Sequence, residues 1–355
     1  MKIVLTACMV VIACMSVNAD TRPDSHAPIG IMGDHYHKTG EIMLSYRFMH
    51  MSMAGNRNNS SDLTPEQIVT TATNLFAAAP MMPPTLRVVP TKMTMDMHML
   101  GVMYAPNDRL TLMGMVNHIN KDMTHITFAG PAGNTRLGSF ETKTSGIGDI
   151  SVGGLIKLKE TSQSRWHLTL GLSLPTGSND QTGAILTPMN QRPSIRLPYP
   201  MQLGSGTYDL ISGLNYAGHR HQWGWGVQWR SVVRLQENDD NYSLGNEHGL
   251  HSWLSYRISQ RISTSLRLTY EDKGNVDGMD KLIMGPVQTA DPNRQGGQRV
   301  NFSIGANLVL PDERMRIAME IHTPVQQDLN GPQLGTDWYT TIGIQFSPSV
   351  KSGQW

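Results

Sequence analysis

Residues 93–99 read Met-Thr-Met-Asp-Met-His-Met, with methionine at every second position. Thioether sulfur is a soft ligand that suits Cu(I) and the chemically similar Ag(I), and imidazole is a borderline one. Methionine is equally an adaptable apolar filler. The period of two is that of a β-strand, so Met93, Met95, Met97 and Met99 share one face. The chain holds 24 Met, and 18 of them fall at or before Met123. A second metal candidate is Asp34-His35-Tyr36-His37. There His35 and His37 could share an ion where the segment turns, and would otherwise be solvated.

The ends set the compartment. Lys2, an apolar run from Ile3 to Val11 and Val17-Asn18-Ala19 form an export leader over residues 1–19. Val11-Ile12-Ala13-Cys14 also passes as a lipoprotein signal. Both cysteines, Cys8 and Cys14, lie in the leader, so the mature chain has no disulfide, thiolate site or Cys nucleophile. The net charge of +1 offers no basic face to nucleic acid. No apolar run after the leader is long enough for a transmembrane helix. Strands can still cross a membrane on a much weaker signal.

The elements that would position the methionines are strands. Period-two alternation marks twelve of them: 41–53, 93–105, 109–121, 145–159, 164–174, 205–217, 222–235, 247–258, 261–271, 299–310, 313–322 and 336–346. Their lengths suit tilted membrane strands better than a soluble sheet. The connections alternate short and long. The long ones are 54–92, 122–144, 175–204, 236–246, 272–298 and 323–335. Short turns at one end and long loops at the other describe an all-β, antiparallel up-and-down transmembrane barrel of about twelve strands. Its termini would both be periplasmic. Residues 20–40 would form a periplasmic segment, 41–346 the barrel and 347–355 a tail. Thr64-Pro65-Glu66-Gln67 predicts a helix start within the first loop, with helix continuing over Ile68 to Ala79.

In that frame the apolar face of each strand meets lipid and the polar face lines the lumen. Trp223, Trp225, Trp229, Tyr208 and Tyr216 suit interfacial girdles. Met49, Met51 and Met53 share the inner face of strand one with Arg47. Met93, Met95, Met97, Met99 and Met103 line strand two, and Met113 and Met115 strand three. His50, His98, His118 and His125 fall near the same rim, on either face. The alternation also turns Asp149, Lys157, Asp209, Arg230, Arg234, Arg257, Arg267, Arg316 and Glu320 inward. These charges either neutralise one another along the wall or make a field that selects solutes.

Gly146-Ile147-Gly148-Asp149-Ile150-Ser151-Val152-Gly153, followed by Leu172-Ser173-Leu174-Pro175-Thr176-Gly177-Ser178, resembles the MetA-pathway phenol-degradation family of bacterial outer-membrane transporters. The resemblance implies a porin-like barrel for passive uptake of small, often aromatic, compounds. It implies no catalytic site. Gly343-Ile344-Gln345-Phe346 is like a barrel-assembly signal, though nine residues follow it.

An enzyme is not expected. His251 and Ser252 are strand neighbours and point to opposite faces, so they cannot pair as a triad would. The reading is an outer-membrane channel for small solutes, with lipid, solute and the barrel-assembly machinery as partners. It has no certain cofactor; Cu(I) is the ion a Met lumen would suit. Two alternatives stand: an envelope barrel that binds or passes Cu(I) or Ag(I), and a soluble secreted β-rich protein.

Overall fold

The computed structural model describes Pro23, residues 26–79 and residues 82–348. The leader and residues 349–355 of the tail lie outside the described residues. Eleven strand elements, the last of them two-armed, close into one antiparallel sheet. They are β1 (Ile42–Asn59), β2 (Val88–Asn107), β3 (Leu110–Phe128), β4 in two pieces (Arg136–Ile147 and Ile150–Glu160) and β5 (Ser164–Leu174). Then come β6 (Asp209–Arg220), β7 (Trp223–Arg234), β8 (Glu247–Arg257), β9 (Ile262–Lys273), β10 (Gly297–Val309) and β11 (Met315–Phe346). Each pairs with its sequence neighbour, and β11 pairs with β1, Leu44 opposite Phe346. Closure leaves no open edge to be satisfied by solvent or another chain.

The last element differs from expectation. Residues 313–322 and 336–346 were separable strands in the sequence, with a loop at 323–335. The structure runs Met315–Phe346 as one element of 32 residues. Its first arm pairs with β10 and its second with β1. The arms also meet each other. Ser347 N donates to Arg314 O at 2.8 Å, and the His322 ring stacks on Tyr339 at 3.9 Å. The element therefore folds back on itself, and both arms stand in the wall.

Inner and outer faces are inverted relative to a soluble protein. On β5, Leu170 and Leu172 are 42% and 40% exposed, whereas His167 and Thr169, of the opposite parity, are 0% and 9% exposed. The same holds on β9, where Leu266, Leu268 and Tyr270 are exposed and Ser265, Arg267 and Thr269 buried. Outward apolar side chains encircle the barrel on this pattern, a patch far larger than a water-soluble monomer exposes. Aromatic pairs ring its short-turn end, with Trp166 against Tyr216 at 4.6 Å and Trp223 against Tyr256 at 4.8 Å.

β1, β2 and β3 run 18, 20 and 19 residues, longer than predicted. Of the loop predicted over 122–144 only 129–135 remains, because β3 and β4 stay paired up to Phe128 opposite Arg136. Their surplus length stands beyond the belt and buries Val89 and Phe128 against Ile68, Val69 and Leu86. The helix α1 (Pro65–Thr71) supplies Ile68 and Val69 and starts at the expected capping box. It stops after 7 residues rather than reaching Ala79. Ile68 to Thr71 are β-branched and poor helix formers, and the Ala72 carbonyl is taken by Leu86 N at 3.1 Å. Phe76, Tyr199, Tyr242, Val276 and Ile283 from four loops form a second apolar core at the long-loop end. Burial there pushes the Tyr199 phenol up to about 12.

The break in β4 has a specific cause. Asp149 Oδ1 accepts Gly177 N at 2.9 Å, and Oδ2 accepts Ser205 N at 2.8 Å and Ser205 Oγ at 2.9 Å. Thr176 Oγ1 accepts Ile150 N at 2.8 Å and donates to Gly148 O at 3.1 Å. The two motif segments thus form one latch that holds the loop after β5 against the wall. Asp149, expected to line the lumen, is consumed by this latch. A Cβ on Gly177 would sit 2.8 Å from Gly204 Cα, so only glycine permits the approach. Asp149→Ala removes the acceptor of three hydrogen bonds and is expected to cost about 2–3 kcal/mol. Gly177→Ala should also destabilise. Both should lower the urea midpoint of the refolded barrel, and unchanged midpoints would contradict the latch.

Candidate functional site

The barrel is not an open tube. The sequence placed residues 20–40 outside it, as a periplasmic segment; the structure threads the described part of that segment into the short-turn half of the lumen. Ala27, Ile29, Ile31, Asp34, His35 and His37 are all buried. The physical reason is polar satisfaction: inward side chains need partners, and this backbone supplies them. Arg316 Nη2 donates to Ala27 O at 2.7 Å and Gln228 Nε2 to Met32 O at 2.9 Å. His167 Nε2 donates to Gly33 O at 2.8 Å and Ser263 Oγ to Pro23 O at 2.8 Å. In the other direction, Gly30 N donates to Glu320 Oε2 at 2.9 Å and His37 N to Thr111 Oγ1 at 2.8 Å. Gly33 turns the segment at φ +63, a region that favours glycine. Ala27 and Ile31 pack on the inward Trp253.

Above this plug lies a chamber of about 570 Å³ with two unlike walls. One is thioether: Met32 from the plug, Met49 and Met51 from β1, and Met95, Met97 and Met99 from β2. Register explains it, because Met49 stands opposite Met97, Met51 opposite Met95, and Arg47 opposite Met99. The facing wall carries Arg230, Glu247, His251, Arg267, Glu271 and Arg299.

The Met stripe therefore divides among three environments. Its outer row, Met53, Met93 and Met123, is buried under Leu197 and Met201 of the loop after β5. Its inner row, Met43, Met103 and Met113, packs against Leu155 and Tyr36 below the chamber. Only the middle row meets the chamber. Met115 and Met113 line a smaller recess with Met32 and Arg230. His98, grouped with the stripe as a metal candidate, cannot join it. Strand parity turns His98 outward, where its Nδ1 meets Tyr46 Oη at 2.8 Å and its ring lies 5.0 Å from Phe48. His50 is on the same outer face, 2.6 Å from Asp96.

The predicted inward charges also divide. Arg267 Nε donates to Glu320 Oε1 at 2.8 Å, both side chains almost fully buried. Arg316 is bound to Asn307, Gln345 and the plug. The Arg47 guanidinium contacts the Met32 sulfur. Arg234 pairs with Asp209, and with Glu247 at 3.4 Å. Arg257 lies at the short-turn end, where Nη2 donates to His221 O at 3.1 Å, and takes no part in the chamber. Arg230 and Arg299 line the chamber beside Glu247 and Glu271, and among the described residues the side chain of neither shows a hydrogen bond or ion pair. Arg299, Glu271 and His251 were missed as site residues, although the alternation that turns Arg267 inward applies to them too. The plug was missed despite one signal, the alternation of Ala27, Ile29 and Ile31 ahead of the first strand.

Glu320 holds both the plug and Arg267. Glu320→Ala leaves a buried guanidinium without its carboxylate and should cost about 3–5 kcal/mol. Hydrogen exchange should then accelerate at the amides of residues 27–37 while β5 and β6 stay protected. Equal protection in both proteins would contradict this anchorage.

Comparison with known proteins fits this architecture. The model of the family described as "Putative MetA-pathway of phenol degradation" matches residues 119–196, which include the latch segments. No curated protein sequence matches the chain. The COG4313 outer membrane channel from Pseudomonas putida F1 superposes with a TM-score of 0.58 at 15% identity, covering 89% of this chain and 99% of that one. The β domain of the Bordetella autotransporter BrkA gives a TM-score of 0.44 at 11% identity, covering 87% and 99%. The Pseudomonas putida toluene transporter TodX gives 0.39 at 8% identity, covering 92% and 91%. The fold is shared with that COG4313 barrel, and the family model matches the two segments that form the latch.

Proposed function

We propose that this protein is an outer-membrane channel for small solutes with an apolar, polarisable body and an anionic end, aromatic carboxylates above all. The observation that carries the reading is the two-faced chamber. Its methionine wall offers deformable apolar contact to a ring, and Arg230 and Arg299 opposite offer guanidinium forks to a carboxylate. Its volume lies within the range of small-molecule sites. The outward apolar belt, closed backbone and aromatic ring at the short-turn end support insertion in the outer membrane. In that orientation the short turns, the plug and both termini face the periplasm. Export by the leader and insertion by the assembly machinery complete the pathway of biogenesis.

Flux into liposomes tests the channel, and no flux above empty liposomes counts against it. Benzoate should bind more tightly than phenol of the same ring size. Arg230→Gln with Arg299→Gln should weaken benzoate about tenfold, a loss of about 1.4 kcal/mol, and leave phenol unchanged. Equal loss for both solutes contradicts the role given to the two arginines.

The in-register rows Met49/Met97 and Met51/Met95 favour a second reading, weak capture of Cu(I) or Ag(I). Titration with Ag(I), beside a variant with Met49, Met51, Met95 and Met97 changed to Leu, decides it. Equal binding by the two proteins removes this reading.

A further inference from the structure

The plug carries a side-chain cluster that neither wall of the chamber uses. His26, Asp34 and His35 each offer a ligand atom, and these atoms lie within 4.8 Å of one another. His35 Nδ1 is 2.9 Å from Asp34 Oδ1, and His26 Nδ1 is 3.9 Å from Asp34 Oδ2. The His26 and His35 rings meet at 4.5 Å and the His35 and His37 rings at 4.9 Å. Asp34, His35 and His37 are 3%, 5% and 6% exposed.

Independent of that clustering, several of these buried atoms lack partners. His26 Nδ1, His35 Nε2 and His37 Nε2 have no hydrogen bond, nor does Glu41 Oε1 beside them. Unpaired buried nitrogen is costly, and native interiors avoid it. The cluster also has an entrance. His26, His35, His37 and Glu41 line a pocket of about 70 Å³ that continues to Arg314 and Ser347 at the short-turn end. An ion could reach it without crossing the chamber.

We infer that His26, Asp34 and His35 bind a borderline divalent transition-metal ion such as Zn(II) or Cu(II). Two imidazoles and one carboxylate, completed by water, are a donor set such ions take. Bond lengths near 2 Å require the ligands to close by a small rotamer adjustment. All the ligands belong to the plug and none to the wall. The ion therefore staples the turn from His26 to His35, which Ala27 N already closes on Asp34 Oδ2 at 3.0 Å. An ion that binds the stapled turn and not the released segment stabilises the plugged state in proportion to its occupancy. This inference rests on the plug and not on the solute read for the chamber.

The test uses the untagged mature barrel, refolded and stripped with chelator. Zn(II) is titrated calorimetrically, and Cu(II) loading is followed by electron paramagnetic resonance. The wild type should take one ion per chain with micromolar or tighter affinity, and Cu(II) should show nitrogen superhyperfine lines. His26→Gln with His35→Gln should weaken binding at least tenfold and remove those lines. Heat-modifiable gel migration confirms that the variant is folded, and its benzoate binding should persist. Failure of the wild type to take a stoichiometric ion overturns the site. So does equal binding by the folded double variant. Loss of benzoate binding in the wild type would count against the chamber reading alone.

Discussion

The structure depends on one constraint: a closed sheet with an apolar outside must put its polar side chains inside and satisfy them there. Thr111, His167, Asn215, Gln228, Ser265 and Arg267, from β3, β5, β6, β7 and β9, all point inward and are buried. In a wide porin, water would meet them. Here the N-terminal segment does so for the short-turn half, through backbone groups of Ala27, Gly30, Met32 and Gly33. The chamber begins where that segment ends. The plug is thus the floor of the site as well as the closure of the lumen.

The same constraint explains how the methionines are used. Inward positions near the plug and beneath the loops are packed, and there Met43, Met93, Met103 and Met123 are buried filler. Between them the wall faces open space, and Met49, Met51, Met95, Met97 and Met99 form a soft surface. The opposite wall pairs most of its charge internally, Arg267 with Glu320 and Lys273 with Glu247. Arg230 and Arg299 face the same chamber as Glu247 and Glu271. The proposed amphiphilic anion would need one flexible apolar face and one polar face with guanidinium groups, and the chamber has both.

Local pattern carried much of this. Period-two alternation separates Leu170 from Thr169 and Leu268 from Arg267, and so reveals strands, faces and the inward Met stripe. It also separates His98 from Met97 and Met99, which rules out their sharing one ion. What was not legible is set by contacts distant in sequence. Gly30 and Glu320 are 290 residues apart, and nothing near either announces the other. Asp149 reads as a lumen charge by parity, yet its partners are Gly177 and Ser205 of a loop that folds back. The helix start was legible from its capping box. Its early end follows from Leu86 binding Ala72, a tertiary contact. Strand ends were underestimated because β1 to β3 continue past the lipid belt, where pairing is sustained by packing on Ile68 and Val69.

The central claim is that residues 26–40 close the lumen beneath the methionine chamber. Single-channel conductance in planar bilayers tests it most directly, comparing the mature chain with one that begins at Glu41. The account predicts small, intermittent conductance for the mature chain and a large, steady conductance for the shortened one, both folded by heat-modifiable migration. Equal conductance from the two folded barrels would contradict it.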